Sequence, residues 1–341
     1  MKMTIQLVCF GVRDVEVEFF NSLNKYNFDL TLIEELMNDE NVEQCKGADA
    51  VMIRGNCKAD RSNLTKLAGY GIRYILTRTV GYNHIDLEAA AELELKVARV
   101  PAYSPNAISE LALNLGINLL RNIPYTTAKT HQKDFTVDAM MFSKEIRKST
   151  IGILGTGKIG LTTAKLFKGL GARVVAYDIY ESEAARGIVE YLPLEEVLAI
   201  SDVVSAHVPH FKGVNDHFIN EAFINKMKDG AVLINTSRGE IQDHSAILHA
   251  IKENKLSGYG TDVFEGEKDF FFRKLTGEKL DDPVIEELIS LYPRVLVTPH
   301  IGSYTDEALT NMVEISYDNL HAYLMYGRCE NEVPLPEIAL V

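Results

Sequence analysis

Between Thr150 and Asp178 the chain reads as strand, glycine turn, helix, strand and acid in one unbroken unit. An apolar run Ile151-Gly-Ile-Leu154 leads into Gly155-Thr-Gly157-Lys-Ile-Gly160, then a helical pattern, then a second apolar run Arg173-Val-Val-Ala-Tyr177 that ends on Asp178. Each part has a mechanical job in holding a dinucleotide. Gly155 allows the tight turn, Gly157 lets backbone approach a pyrophosphate, and Gly160 lets the helix pack closely on the strand. The helix opened by Lys158 and Ile159 offers unpaired N–H groups and a partial positive charge to the phosphates. Asp178 is placed to hydrogen-bond the adenosine ribose hydroxyls and to repel a 2′-phosphate. No Arg follows it until Arg186, so NAD is favoured over NADP.

A chain of 341 residues exceeds one ordinary core and predicts two domains. Its net charge of −13 argues against nucleic acid or an anionic membrane as partner, because both demand clustered Lys and Arg. Cys9, Cys45, Cys57 and Cys329 show neither C-x-x-C nor zinc-ligand spacing and read as reduced thiols. The apolar run Ile5 to Val12 meets Arg13-Asp14 at once and reads as a strand rather than a signal peptide. No run reaches the ~18 apolar residues of a membrane helix. A cytoplasmic protein is expected.

Short strand-like runs alternate with helical patterns along the whole chain. Before the glycine unit they are Ile5–Val12, Leu30–Ile33, Ala50–Ile53, Arg73–Thr77 and Lys96–Val100; after it they are Asp202–Ala206, Ala231–Asn235, Gly258–Asp262 and Arg294–Thr298. Alternation of this kind predicts an α/β protein with two doubly wound parallel-sheet domains and a cleft between them. A helix opens at Ser104-Pro105 and runs to about Arg121. It is apolar nearly all round and needs burial on two sides, by another domain or a second subunit, unless it is a central core helix of one subunit. The last helix, Thr305 to Tyr326, has no strand after it and is expected to pack back onto the first domain. Crossovers then fall near Tyr103 and Ile301. Residues 1–102 with 302–341 would form the substrate domain, and 103–301 the NAD-binding domain. Phe270-Phe-Phe272 and Met140-Met-Phe142 read as loop and core packing.

Three ionisable residues follow successive strands of the nucleotide half: Arg238, Glu267 and His300. Strand ends of one sheet converge on one crevice. Carbonyl reduction by NADH needs a proton donor and something to hold the substrate still. His300 beside Glu267 fits the first need, because a neighbouring carboxylate raises an imidazole pKa. Arg238 fits the second, through two parallel charge-assisted hydrogen bonds to a substrate carboxylate. His207-Val-Pro-His210 invites a metal, but the pair ends a strand and no further ligand completes a set, so no metal is expected.

Taken together, Gly155-Thr-Gly-Lys-Ile-Gly160, Asn235-Thr-Ser-Arg-Gly239, Asp262-Val-Phe-Glu-Gly-Glu267 and Thr298-Pro-His-Ile-Gly302 resemble the D-isomer-specific 2-hydroxyacid dehydrogenases, over nearly the whole chain. The resemblance implies a flavodoxin-like substrate domain and a Rossmann NAD-binding domain, with Arg238 on the substrate carboxylate, His300 as acid/base and Glu267 as its partner. Thr79-Val-Gly81 resembles the family turn whose backbone N–H groups, here Val80 and Gly81, also hold that carboxylate. Val208, Pro209, Thr236 and Asp262 are implied around the cofactor, and a homodimer through the Pro105–Arg121 helix is implied as well. Tyr103-Ser-Pro-Asn-Ala-Ile108 and the long Glu267–Asp282 loop look like the D-lactate dehydrogenase branch, with Tyr103 on the substrate side. Gly11-Val-Arg-Asp14, Arg54-Gly-Asn-Cys57, Thr77-Arg-Thr79 and Ser303-Tyr-Thr-Asp306 are similar to the (R)-2-hydroxyglutarate dehydrogenases within it.

Arg54 closes the strand Ala50–Ile53, where D-lactate enzymes of this branch tend to carry an uncharged residue. There it would stabilise a distal carboxylate, and Ser303 would leave room for a longer polar substrate. Both favour 2-oxoglutarate over pyruvate. The competing reading of Arg54 is a structural ion pair with a carboxylate such as Asp14. Other 2-oxo acids, D-lactate or branched and aromatic, are the alternative substrates. A cofactor-sensing binding protein is the alternative class, since transcriptional corepressors share the fold.

Overall fold

The computed structural model describes residues 4–336. The chain folds as two compact units, Met1–Ser104 with Tyr304–Val341, and Pro105–Ser303. Each switch lies two residues beyond the expected one, at 104 rather than 102 and at 303 rather than 301. The outermost residues of the expected substrate domain, 1–3 and 337–341, lie outside the described residues.

The first unit is built on five parallel strands, β1 (Gln6–Phe10), β2 (Asp29–Ile33), β3 (Ala50–Ile53), β4 (Tyr74–Thr77) and β5 (Lys96–Arg99), in the order β2-β1-β3-β4-β5. This is the flavodoxin-like order, with its switch point between β1 and β3. Near-continuous apolar runs form these strands because helices cover both faces. Val8, Phe10, Val51 and Ile53 point into one core, and Leu7, Cys9, Ala50 and Met52 into the other. The second core is closed by Val313, Tyr317, Leu320 and Tyr323 of the Asp306–Tyr326 helix. Thr305 caps that helix, its side chain accepting from the Ala308 N–H.

The second unit holds seven strands: β6 (Thr150–Leu154), β7 (Arg173–Tyr177), β8 (Glu190–Tyr191), β9 (Val203–Ala206), β10 (Ala231–Asn235), β11 (Leu256–Thr261) and β12 (Val295–Val297). Their order is β12-β11-β10-β9-β6-β7-β8, all parallel. Counted within the unit this is the Rossmann order with one strand added at the β12 edge, and the chain reverses direction across the sheet between β6 and β9. The two-residue β8 is too short to leave an alternation signal in the sequence.

The structure bears on two packing expectations. The Pro105–Leu120 helix lies against the Lys158–Gly169 helix and over β9, β10 and β11. Ala112, Leu115 and Leu119 share a core there with Phe167 and Ile234. Part of its apolar surface is thus used inside its own unit, while Ile108, Leu111, Leu113, Ile117 and Leu120 remain half-buried. Met140 and Phe142, expected in a core, are 52% and 78% exposed.

Candidate active site

The nucleotide end is set by sterics at two glycines. Gly155 has φ +88°, and a Cβ there would sit 2.9 Å from the His207 carbonyl oxygen. A Cβ at Gly160 would sit 1.9 Å from the Gly155 carbonyl oxygen, so only glycine lets the helix seat on the turn. Gly157, the N-cap of that helix, meets nothing within 4 Å and leaves open space before the helix N-terminus. Lys158 is exposed there, and the Ile159 carbonyl accepts from the Ser109 hydroxyl at 2.9 Å. The Asp178 carboxylate organises the turn: one oxygen accepts from the Thr156 N–H at 2.5 Å and hydroxyl at 2.9 Å, the other from the Tyr180 N–H at 3.0 Å.

Two buried polar atoms past neighbouring strand ends have no partner, and His207 packs directly on this turn. They are Thr236 Oγ1, past the end of β10, and His207 Nδ1, past the end of β9. Burial holds the His207 ring down at about 4, so it is neutral, with Nε2 against Ser205 Oγ at 2.9 Å. Val208 is half-buried and Pro209 exposed just beyond. An open cradle over a helix N-terminus, flanked by unsatisfied polar atoms at the switch point, fits a dinucleotide. His210, the other half of the candidate metal pair, is engaged by Asp216 at 2.5 Å.

Past β10 the fully buried Asn235 shapes the turn that presents Arg238. Its Oδ1 accepts from the Ser237 N–H and hydroxyl at 2.9 and 2.8 Å, and its Nδ2 donates to the Arg238 carbonyl at 2.8 Å. Arg238 itself is exposed. Next to it, a Cβ on Gly239 would fall 2.0 Å from the Phe264 carbonyl carbon. The two turns therefore lie flush, backbone to backbone. Past β11, Glu267 is oriented by the Phe264 N–H, which donates to Oε2 at 2.9 Å, and its Oε1 meets His300 Nδ1. That contact leaves Nε2 as the ring nitrogen free to face a reactant.

His300 follows β12 with φ +52°, a left-handed conformation that few non-glycine residues adopt. Its N–H donates to the carbonyls of Asp262 and Thr298, both at 3.0 Å. Asp262, implied around the cofactor, is 2% exposed and braces this loop. Its oxygens accept from the Thr298 hydroxyl at 2.6 Å and from the Ile301 and Gly302 N–H groups at 2.8 Å each. Burial raises the Asp262 carboxyl, and these donors only partly oppose it. The Glu267–Asp282 loop folds back through Phe271, which is buried against Phe264.

The substrate-side candidates of the first unit lie past its own strand ends. Arg54 follows β3 and donates from Nη2 to the Tyr304 hydroxyl. The Tyr304 ring also carries Arg13, whose Cζ lies 4.1 Å from the centroid. Arg13 and the buried Arg78 share Glu16, at 2.7 and 3.0 Å. Burial alone would raise the Glu16 carboxyl, yet the Arg13 and Arg78 contacts outweigh it and hold it at about 2. Burial, with repulsion from Arg78 and Arg13, lowers the Arg54 guanidinium. The strand ends thus present three arginines around one carboxylate. Past β4, the Val80 carbonyl accepts from Arg99 Nη1 at 3.1 Å. The Tyr103 carbonyl accepts from Asn311 at 2.5 Å, and Ser303 ends the second unit half-buried.

Sequence reading missed Asn235, Gly239 and Tyr304. The first two stand inside a motif already singled out, and a buried amide at a strand end was the available signal. Tyr304 had none, since its partners are distant in sequence.

Residues 113–302 match the NAD-binding domain of D-isomer specific 2-hydroxyacid dehydrogenases. The chain belongs to this family. The dehydrogenase is 37% identical to an aromatic 2-oxoacid reductase of Clostridium sporogenes, over 96% of this chain and 99% of the relative. Among solved structures, a D-lactate dehydrogenase from Treponema pallidum superposes with TM-score 0.89 at 32% identity, covering 97% and 100% of the two chains. The NAD-complexed form of a D-isomer specific 2-hydroxyacid dehydrogenase from Lactobacillus delbrueckii ssp. bulgaricus does so with TM-score 0.83 at 30% identity, covering 96% and 100%. The protein is an NAD-dependent D-2-hydroxyacid dehydrogenase, and its substrates are small 2-oxo and 2-hydroxy acids. Among the described residues, no helix is long and apolar enough to cross a membrane.

Proposed function

We propose that this dehydrogenase reduces 2-oxoglutarate to (R)-2-hydroxyglutarate. The observation that carries the choice is the Arg13–Tyr304–Arg54 stack beside the Glu16 pair. Two guanidiniums share the face and hydroxyl of one tyrosine, in a protein whose net charge is −13. An arriving carboxylate would relieve both their burial and their mutual repulsion. Ser303, small and half-buried, supports the same reading by leaving room for a polar chain.

In this reading Gly155, Gly157, Gly160 and the helix N-terminus at Lys158 and Ile159 hold the pyrophosphate, Asp178 the adenosine ribose, and Val208, Pro209 and Thr236 the flanking groups. Bound NADH supplies the hydride. Arg238 clamps the carboxylate next to the carbonyl, together with the Val80 and Gly81 N–H groups. His300 donates the Nε2 proton to the carbonyl oxygen as the oxygen gains charge, while Glu267 holds Nδ1–H and stabilises the charged ring. Asp262 acts through the loop it braces. Arg54 holds the distal carboxylate, and Tyr103 lines the substrate side.

The deciding experiment is kcat/KM with NADH for 2-oxoglutarate, pyruvate, 2-oxoisocaproate and phenylpyruvate, with chiral analysis of the product. 2-Oxoglutarate is expected to lead by about tenfold or more, the worth of one charge-assisted hydrogen bond. Leadership by pyruvate or phenylpyruvate would return the substrate to the D-lactate or aromatic alternative. A cytoplasmic homodimer belongs to the same reading. Its support is a surface segment in which Phe135, Val137 and Phe142 are each more than 70% exposed. Sedimentation should give a dimer in wild type and a shift toward monomer in Phe142→Glu; a monomeric wild type would remove this part.

A further inference from the structure

The turn after β4 contains a hydrogen-bond chain whose direction is fixed by counting protons. Thr79 Oγ1 lies 2.6 Å from the Gly81 carbonyl oxygen, which can only accept, so Thr79 donates there. Its single proton is then committed, and it must accept from Thr77 Oγ1, 2.6 Å away. Thr77 has now given its own proton and must accept in turn from His84 Nε2 at 3.2 Å. His84 therefore carries its proton on Nε2. Burial lowers this ring to about 4, so at neutral pH it holds one proton and the tautomer is defined.

The chain ends on a glycine, and that gives it a use. Gly81 is the residue with the most backbone freedom in the turn. Its two flanking peptide planes are both pinned: the Val80 carbonyl accepts from Arg99 Nη1 at 3.1 Å, and the Gly81 carbonyl from Thr79. The Thr79 carbonyl accepts from the Val100 N–H at 3.1 Å. In a trans peptide the carbonyl and the following N–H point opposite ways. The N–H groups of Val80, Gly81 and Tyr82 are consequently turned away from the atoms that hold these carbonyls. Thr77 is fully buried, so the polar chain is held in a largely apolar setting where it resists rearrangement.

We propose that His84, Thr77 and Thr79 are positioning residues, a one-directional relay that holds the Gly81–Tyr82 peptide plane and so stops Gly81 from rotating, and that, together with Arg99 on the Val80 carbonyl and Val100 on the Thr79 carbonyl, it keeps the Val80 and Gly81 N–H groups aimed at the substrate carboxylate before it arrives. The inference rests on the reading that these two amides hold that carboxylate, and it adds three side chains that never touch substrate. Because every 2-oxo acid presents this carboxylate, the relay serves all substrates alike and takes no part in choosing among them.

The test uses the full-length enzyme with NADH and oxamate, a non-reducible isostere of pyruvate. Nitrogen-15 correlation spectra should show His84 as the Nε2–H tautomer; an Nδ1–H ring overturns the relay. Thr79→Val keeps the shape and removes the hydroxyl, and should weaken oxamate binding and raise KM for pyruvate and 2-oxoglutarate together by about five- to tenfold. NADH affinity and kcat should stay within about twofold by the same reckoning, and Thr79→Ser should restore wild-type values. Unchanged oxamate affinity in Thr79→Val, with NADH binding showing the protein folded, overturns the proposal, as does a loss Thr79→Ser does not restore. A separate outcome isolates the underlying reading: if the wild-type Val80 and Gly81 amide signals do not move on saturation with oxamate, these amides do not hold the carboxylate, whatever the His84 tautomer.

Discussion

Replacing His300 with asparagine is expected to lower kcat by about a thousandfold, within the 10²–10⁴ range typical of a lost general acid. Asparagine is chosen because His300 has φ +52°, a conformation that Asn tolerates better than most residues, so the loop should survive the change. The loop is also fastened from below by the Asp262 carboxylate, which does not depend on the ring. NADH affinity should therefore hold, as measured by quenching or enhancement of cofactor fluorescence. Such a split, turnover lost and cofactor kept, marks a group acting in the transition state. A kcat within tenfold of wild type would mean that His300 is not the proton donor.

Arg54→Gln should reshape specificity more than it slows the enzyme. The substitution keeps a hydrogen-bond donor toward Tyr304 and removes the positive charge. A charge-assisted hydrogen bond is worth about 2 kcal/mol, so kcat/KM for 2-oxoglutarate should fall about thirtyfold. Pyruvate, with no distal carboxylate, should change by less than about threefold, and relief of the crowded charges beside Arg13 and Arg78 could leave it slightly improved. Steady-state kinetics with both acids decide the matter through their ratio. Equal losses on the two would make Arg54 a structural arginine and take the dicarboxylate reading with it.

Much of this molecule is written in local pattern. Gly160 is forced by a contact with Gly155 inside a single strand-turn-helix unit, and Gly155 by the positive φ of that same turn, features that repeat in any chain that builds it; the contact of Gly155 with His207 is added by the fold. The polar residues after β10, β11 and β12 could be grouped because parallel strands deliver their ends to one edge. What could not be read depends on contacts that join distant segments. The apolar circumference of the Pro105–Leu120 helix reveals that it is covered, while the identity of the cover, the neighbouring helix and the strands beneath, is a property of the tertiary fold. Tyr304 meets Arg54 across 250 residues of sequence, so no spacing rule anticipates it. Asp262 could be assigned to the site but not to its task. Its capture by the Ile301 and Gly302 amides appears only when the loop has closed around it.

The flush backbones at Gly239 and Phe264 bear on how such an enzyme can change over time. With Arg238 on one turn and Glu267 on the next, and no room between those turns for even a methyl group, neither turn can be remodelled while the other stays put. Altering the chemistry would demand coordinated changes in both. Arg54 and Tyr304 meet through side chains alone, so single substitutions there leave the backbone of both turns inherited intact.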